Sequence, residues 1–324
     1  MIISASRRTD IPAFYSRWFF NRLEQGFVMV RNPVNPLLVR KIDLSPEHID
    51  GIVFWSKNPR PMMDRLDQLS PYHFYFLFTI TPYGPDLERN LPAKEEVIDT
   101  FIELSRRIGR EKVIWRYDPV LLSDRIDDDY HRRHFDYIAG RLHSYTGRCI
   151  ISFLDMYKKC ERHLKGFNIK APGSDDMQRL AGILGGIAGQ YDLEVATCAE
   201  EIDLQGMGIQ HGKCIDDELL SRICGGRLAL KKDPHQRKTC RCVESVDIGA
   251  YDTCPHHCLY CYANSNALAV QRNTALHDPA SPFLSGQLPG KGVKFTCPLL
   301  STLETKLRGR ILHQKGGKSA NLGE

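Results

Sequence analysis

Six short apolar runs, separated by stretches of helical periodicity, constrain the fold of this chain more than any other feature of its sequence. They are MIISAS (Met1 to Ser6), GIVFW (Gly51 to Trp55), HFYFLFTIT (His73 to Thr81), KVIWRY (Lys112 to Tyr117), CIISFL (Cys149 to Leu154) and LEVATC (Leu193 to Cys198). Runs this apolar read as strands buried on both faces. Between them, KEEVIDTFIELSRRIG (Lys94 to Gly109) puts Val97, Phe101, Leu104 and Ile108 on one side of a helix. DDMQRLAGILGGIAGQYD (Asp175 to Asp192) reads the same way, with Asp175 as the expected N-cap. Repeated strand-then-helix units imply an α/β fold of parallel strands with helices outside, either a (β/α) barrel or a doubly wound sheet.

In such folds chemistry gathers where strands end and loops begin. The segments at those ends are RRTD (Arg7 to Asp10), SKNP (Ser56 to Pro59), TPYGPDLERN (Thr81 to Asn90), RYDP (Arg116 to Pro119), DMY (Asp155 to Tyr157) and CAEE (Cys198 to Glu201). Each residue has an ordinary use in a cap or turn; as a set at one mouth they favour a site. A length of 324 residues with 42% hydrophobic content supports a sizeable core. No apolar stretch is long enough to span a bilayer and no leader pattern opens the chain, so the expectation is a cytoplasmic protein without a membrane role. A net charge of +5 permits nucleic acid as a partner without requiring it.

Eleven cysteines are many for that compartment, where disulfides are disfavoured, and metal binding explains them economically. Three fall in YDTCPHHCLYCYAN, as Cys254, Cys258 and Cys261. Structural zinc wants a fourth ligand, which His256, His257 or a distant cysteine could supply. A C-x3-C-x2-C loop equally suits three irons of a 4Fe-4S cluster, leaving the fourth iron open. That spacing, with the aromatic Tyr260 before the last cysteine, resembles the loop of radical S-adenosylmethionine enzymes.

The resemblance extends to strand ends. RRTDIPAFYSRWFFNRLEQG, VFWSKNP, FTITPYGPDLERNLPAKEEVIDTFIEL and VIWRYDPVLL resemble the second to fifth strands of the spore photoproduct lyase-like branch of that superfamily. VESVDIGAYDTCPHHCLYCYAN would then be the first strand and cluster loop, displaced to the C-terminal part and closing beside Met1 to Ser6, as in a family of bacterial proteins with C-terminal cysteines of this type. The resemblance covers about residues 1–160 and 240–265. It implies a partial or complete barrel, circularly permuted, that binds a 4Fe-4S cluster and S-adenosylmethionine and draws electrons from an external donor such as a flavodoxin or ferredoxin. It implies that Lys57 contacts the carboxylate of S-adenosylmethionine, with Arg116 and Thr81 near its polar groups and Asp10, Thr9 and Asn58 in the same pocket. No Gly-Gly-Glu motif follows the second strand, so the amine contact has no assigned residue, and no thiol or tyrosine matches the lyase's radical relay.

Cys198, Cys214, Cys240 and Cys242 form a second group, suited to zinc or to an auxiliary iron–sulfur cluster. Cys149 and Cys160 read as core residues, and Cys224 and Cys297 carry no signal. Trp18, Trp55 and Trp115 read as core, and His256 and His257 as loop packing or a hydrogen bond to a cluster sulfide. Residues 1–200 are expected to supply most of the barrel, 201–245 an insertion over its mouth, 246–275 its closure, and 276–324 a mobile basic tail that could touch phosphates. Two functions follow: a radical S-adenosylmethionine enzyme that abstracts hydrogen from a substrate the sequence does not specify, a nucleobase or nucleic-acid lesion being one class, or a non-catalytic zinc or iron–sulfur module that engages a partner.

Overall fold

The computed structural model describes residues 1–286 and 294–296. Its strands are β1 (Ile2–Ala5), β2 (Phe27–Arg31), β3 (Leu38–Asp43), β4 (Gly51–Ser56), β5 (Phe74–Thr79), β6 (Val113–Val120), β7 (Arg148–Phe153), β8 (Glu194–Cys198), β9 (Ile209–Gly212), β10 (Val246–Asp247) and β11 (Lys294–Thr296). The helices are α1 (Ile11–Phe14), α2 (Ser16–Glu24), α3 (Lys94–Ile108), α4 (Asp128–Leu142), α5 (Lys158–His163), α6 (Ser174–Gln190), α7 (Asp217–Cys224) and α8 (Ala267–Ala275). One sheet of eight strands runs in the order β10-β1-β4-β5-β6-β7-β8-β9, every neighbouring pair parallel. The edges β10 and β9 do not pair with each other among the described residues. All six expected strands are present, and the cluster-bearing segment does lie beside β1, with Ile3 opposite Val246 and Ser4 opposite Asp247.

Strand alternation divides the side chains between two cores. On one face Ile3, Ile52, Phe54, Phe76, Phe78, Trp115 and Ile151 pack against the helices, among them Trp18 and Phe19 of α2, Phe101 of α3, Phe135 of α4 and Leu184 of α6. Phe54 stacks on Phe76, and Trp115 on Phe135. Each such buried ring contributes about 1.5–3 kcal/mol. On the opposite face Ile2, Val53, Tyr75, Leu77, Ile114 and Ile150 form a second core with Leu219 and Leu220 of α7. Further along the strands the same face turns polar, with Ser6, Trp55, Thr79, Arg116, Asp118, Ser152 and Cys198 beside a cavity.

Several local expectations change. Residues 201–245 do not simply cover the mouth. After β9 the chain turns onto the sheet face opposite the helices, where α7 packs at the strands' N-terminal ends. A Cβ on Gly51, the first residue of β4, would come 2.5 Å from Leu220 Cδ2. Arg148, which opens β7, pairs with Asp216 at 2.9 Å. The cap of α6 is Gly173, whose N–H donates to Asp176; Asp175 sits in the first turn. The antiparallel pair β2–β3 was not expected, because its charged, partly exposed strands lack the buried signature of the central ones. Residues 276–286, assigned to a mobile tail, are docked: Trp18, Asn21 and Arg22 donate to the carbonyls of Ser281, Pro279 and Ala280. Of the rest of that tail, Lys294–Thr296 form β11 beside β3, and residues 287–293 and 297–324, with Cys297, lie outside the described residues. Trp18 and Trp115 are core, but Trp55 faces the cavity beneath the guanidinium groups of Arg7 and Arg116. Among the described residues, no helix is long and apolar enough to cross a membrane.

Candidate functional site

The cysteine loop is rooted by Asp247, the last residue of β10. Its carboxylate accepts from the Ser4 and Ser6 hydroxyls and from the N–H groups of Arg7 and Gly249, tying the loop to the end of β1. The approach is close enough that a Cβ on Gly249 would fall 2.0 Å from Ser6 Oγ, so only glycine fits there. The loop closes on itself through Asp252 N–H to Ala263 O at 2.9 Å and Asn264 Nδ2 to Cys254 O at 2.7 Å. It then docks on the loop that follows β5. Leu259 N–H donates to Leu87 O at 2.9 Å, Asn90 N–H to His256 O at 3.2 Å, and Asn90 Nδ2 to Pro255 O at 2.7 Å. Cys258 and Tyr260 are buried, and Cys254 and Cys261 are half-buried.

Two buried carboxylates hold this assembly together. Asp10 accepts from Ala13 N–H as the cap of α1, from Ser56 Oγ at 2.8 Å, from Lys57 N–H at 2.7 Å and from His256 Nε2 at 2.8 Å. It thereby joins β1, β4 and the cysteine loop. Glu88 is 1% exposed and accepts from Lys57 Nζ at 2.6 Å and Thr81 Oγ1 at 2.6 Å, as well as from Lys94 and the Tyr260 hydroxyl. Burial alone would raise its pKa; Lys57 and Lys94 outweigh that and hold it at about 2. For the lysines the balance differs. Burial lowers both, but Glu88 leaves Lys57 raised, whereas Lys94, repelled by Lys57, stays lowered.

Behind this lattice a cavity of about 920 Å³ opens at the carboxyl ends of the strands. Cys254, Cys258 and Cys261 line it together with Thr9, Asp10, Lys57 and Arg116. Asn58 and Thr81 are not in the lining: Asn58 caps its own turn by accepting from Arg60 N–H, and Thr81 donates to Glu88. Burial raises the thiol pKa values, Cys254 to about 12 and Cys258 and Cys261 also upward, so the ligand-free thiols are neutral at physiological pH. Among the described residues, seven buried side-chain polar atoms lack a hydrogen-bond partner, and six belong to residues of this cavity: Arg7 Nη2, Thr9 Oγ1, Arg116 Nε, Ser245 Oγ, His256 Nδ1 and Asn264 Oδ1. Buried polar atoms are ordinarily satisfied, so their concentration in one place calls for a polar occupant.

Cys198, Cys240 and Cys242 line the same cavity, and Cys214 lies behind them, 3.1 Å from Cys198 sulfur to sulfur. No group of three or more His, Cys, Asp or Glu side chains stands in ready-made metal-binding geometry among the described residues. Cys149 and Cys160 are buried, Cys160 donating to Tyr260 O at 3.1 Å, and Cys224 donates to Gly226 O. His256 is committed to Asp10 and to the edge of Phe14. His257 sits at φ +53° in the turn between Cys254 and Cys258. Sequence reasoning missed Glu88 and Asn264. Glu88 looks like any charged residue of a loop, and nothing in the spacing announces that two lysines and a tyrosine will converge on it. Asn264 had a faint signal, as a short amide side chain three residues after the last cysteine of the loop.

A solved structure described as a "putative alpha-L-fucosidase" from Bacteroides thetaiotaomicron is similar at 9% identity, over 66% of this chain and 80% of that one. Its TM-score of 0.26 is too low to carry an argument about fold or function. No curated protein matches the chain. The model of one family matches residues 2–263, a span that takes in the whole parallel sheet and all three loop cysteines. The chain therefore belongs to the family described as "Domain of unknown function (DUF1848)".

Proposed function

We propose that this protein is a radical S-adenosylmethionine enzyme with a permuted, incompletely closed barrel. One observation carries the reading: three loop cysteines, at the C-x3-C-x2-C spacing, face a large cavity at the carboxyl ends of parallel strands, and that cavity collects the buried polar atoms left without partners. Cys254, Cys258 and Cys261 would hold a 4Fe-4S cluster as thiolates. Bound there, such a cluster would supply one-electron reduction, drawn from an external donor such as a flavodoxin or ferredoxin, for reductive cleavage of S-adenosylmethionine and hydrogen abstraction from a substrate.

The chain's own residues supply binding and orientation. Lys57 favours the thiolate forms of Cys258 and Cys261 through its charge, but its ammonium is already engaged by Glu88 and Thr81. Arg116 is likewise engaged, through Nη2 by Asp118, but its buried Nε has no partner and its guanidinium is packed over Trp55, so the carboxylate contact falls better to Arg116. Thr9 Oγ1, His256 Nδ1 and Asn264 Oδ1 offer further hydrogen bonds. Asp10 and Glu88 keep the loop in place.

The test is anaerobic. Wild type and Cys258→Ala are reconstituted with iron and sulfide, reduced and given S-adenosylmethionine, and 5′-deoxyadenosine is quantified by mass spectrometry. Formation by the wild type and not by the variant is expected. A wild type that takes up zinc at the loop, assembles no iron–sulfur cluster and makes no 5′-deoxyadenosine would overturn the reading in favour of a non-catalytic metal module.

A further inference from the structure

Four cysteines outside the loop converge from three parts of the chain. Cys198 ends β8, Cys214 follows β9 by two residues, and Cys240 and Cys242 lie in the segment that leads to β10. Cys214 Sγ is 3.1 Å from Cys198 Sγ, and Cys214, Cys240 and Cys242 are buried in one small cluster against which Cys198 packs. All four are free. The backbone N–H groups of Cys214 and Ile215 both donate to Cys242 Sγ, each at 3.3 Å. Two N–H donors on one sulfur is the environment of a thiolate, since a neutral thiol is a weak acceptor. Close by, Arg7 Nη2 is buried without a hydrogen-bond partner, and the Arg7 guanidinium lies within electrostatic reach of Cys242 and Cys214.

We propose that Cys198, Cys214, Cys240 and Cys242 bind one structural zinc ion. Tetrahedral zinc with Zn–S distances of about 2.3 Å separates its sulfurs by about 3.8 Å. The Cys198–Cys214 pair need open by less than about 1 Å to admit the ion. A four-iron cluster binds each thiolate to a different iron and would need the sulfurs several ångströms further apart, so the packing of these thiols fits a single ion. Binding transfers each thiol proton to water and leaves a doubly negative tetrathiolate, whose charge the nearby guanidinium groups of Arg7, Arg116 and Arg237 offset. The segment leading to β10 carries little regular structure, held instead by scattered hydrogen bonds such as Val243 N–H to Ile215 O and Thr239 Oγ1 to Ala199 O. Residues 226–245 form no helix or strand beyond one isolated bridge, Lys232 to Val243, and the cysteines sit in a small apolar cluster with Ile215, Leu219, Leu220 and Val243. A zinc ion joins β8, β9 and this segment just where the chain climbs towards β10 and the cysteine loop.

The proposal does not depend on the chemistry of that loop, and the experiment separates the two. The full-length triple variant Cys254→Ala, Cys258→Ala, Cys261→Ala removes the loop thiols. Purified under reducing conditions, it is expected to carry one zinc per chain by mass spectrometry of the metal. Cobalt exchanged into it should show a tetrahedral, four-thiolate spectrum. Cys242→Ser in the same background is expected to lower the zinc content at least tenfold, and Arg7→Ala to weaken zinc affinity about 10–100-fold while preserving stoichiometry. Should Cys242→Ser not fold, zinc-edge X-ray absorption of the triple variant must count four sulfurs at about 2.3 Å. Should the triple variant not fold, the same count is made on wild type with iron loaded in the loop. Iron and sulfide in place of zinc, a Cys198–Cys214 disulfide, or fewer than four sulfur ligands would each overturn the proposal.

Discussion

Replacing Glu88 by glutamine keeps the shape of the buried hub and removes its charge. The amide oxygen of the substituted side chain could still accept from Thr81 and Tyr260, so the change isolates electrostatics from packing. In the wild type the carboxylate is 1% exposed and faces Lys57, 14% exposed, and Lys94, 29% exposed. Its pKa falls from an ordinary 4.5 to about 2, and that drop corresponds to roughly 3 kcal/mol favouring the ionised form. Removing one partner of a buried pair independently suggests a loss of about 3–5 kcal/mol, because the other charge is left uncompensated. Lys94 can swing towards water, whereas Lys57 is held between Thr81 and the Tyr260 ring and cannot. Most of the loss therefore comes from Lys57. Urea unfolding at neutral pH should show Glu88→Gln about 3 kcal/mol less stable than wild type. Adding Lys57→Met to that background should recover about half of the difference or more, since it removes the stranded charge. A loss under about 1 kcal/mol, or a double variant no better than Glu88→Gln alone, would show that the hub is solvated and does not hold the cysteine loop by charge.

Other outcomes follow from single contacts. Asp10→Ala strips acceptors from Ser56, Lys57 N–H, Ala13 N–H and His256 together, so a loss of about 3 kcal/mol is expected by thermal or urea unfolding, with faster protease cleavage in the cysteine loop. Gly51→Val drives a side chain into Leu220 and should cost about 1–3 kcal/mol; Leu220→Ala in the same chain should give part of that back. Tyr75→Phe leaves Asp216 N–H and Cys214 O without the hydroxyl they share, for a loss of about 1–3 kcal/mol and weaker zinc retention in a chelator competition. Asp43 supplies a pH dependence. Burial would raise its pKa, but hydrogen bonds from Ser45 and the pairing with His48 outweigh that and lower it. Its contribution is therefore complete above the unfolded value of about 3.9 and disappears as pH falls through the lower folded value. Asp43→Asn should be about 1 kcal/mol less stable than wild type at neutral pH, with the gap closing in strong acid.

How much of this was legible in the chain depends on whether a property is local. Apolar runs and helical spacing are local, and they determined the class of fold: the six expected strands form within a residue or two of their predicted ends, apart from the longer β6, and they pair in parallel. The C-x3-C-x2-C loop is local too, and it marked three of the cavity's thiols before any geometry was known. Even the late position of that loop was interpretable, because a strand that pairs beside β1 can be joined from either end of the chain. The short edge strands carried too little apolar signal to be read, since β9 and β10 bury few residues and take their conformation from a neighbour. What only the tertiary structure decided was which charges meet. Lys57 and Glu88 are 31 residues apart, His256 and Asp10 are 246 apart, and the four outer cysteines arrive from three segments. Loop residues have no period that reports their partners; burial and pairing become defined only when the sheet sets its strand ends side by side, and desolvation then turns ordinary surface residue types into the hub, the cavity wall and the thiol cluster of this protein.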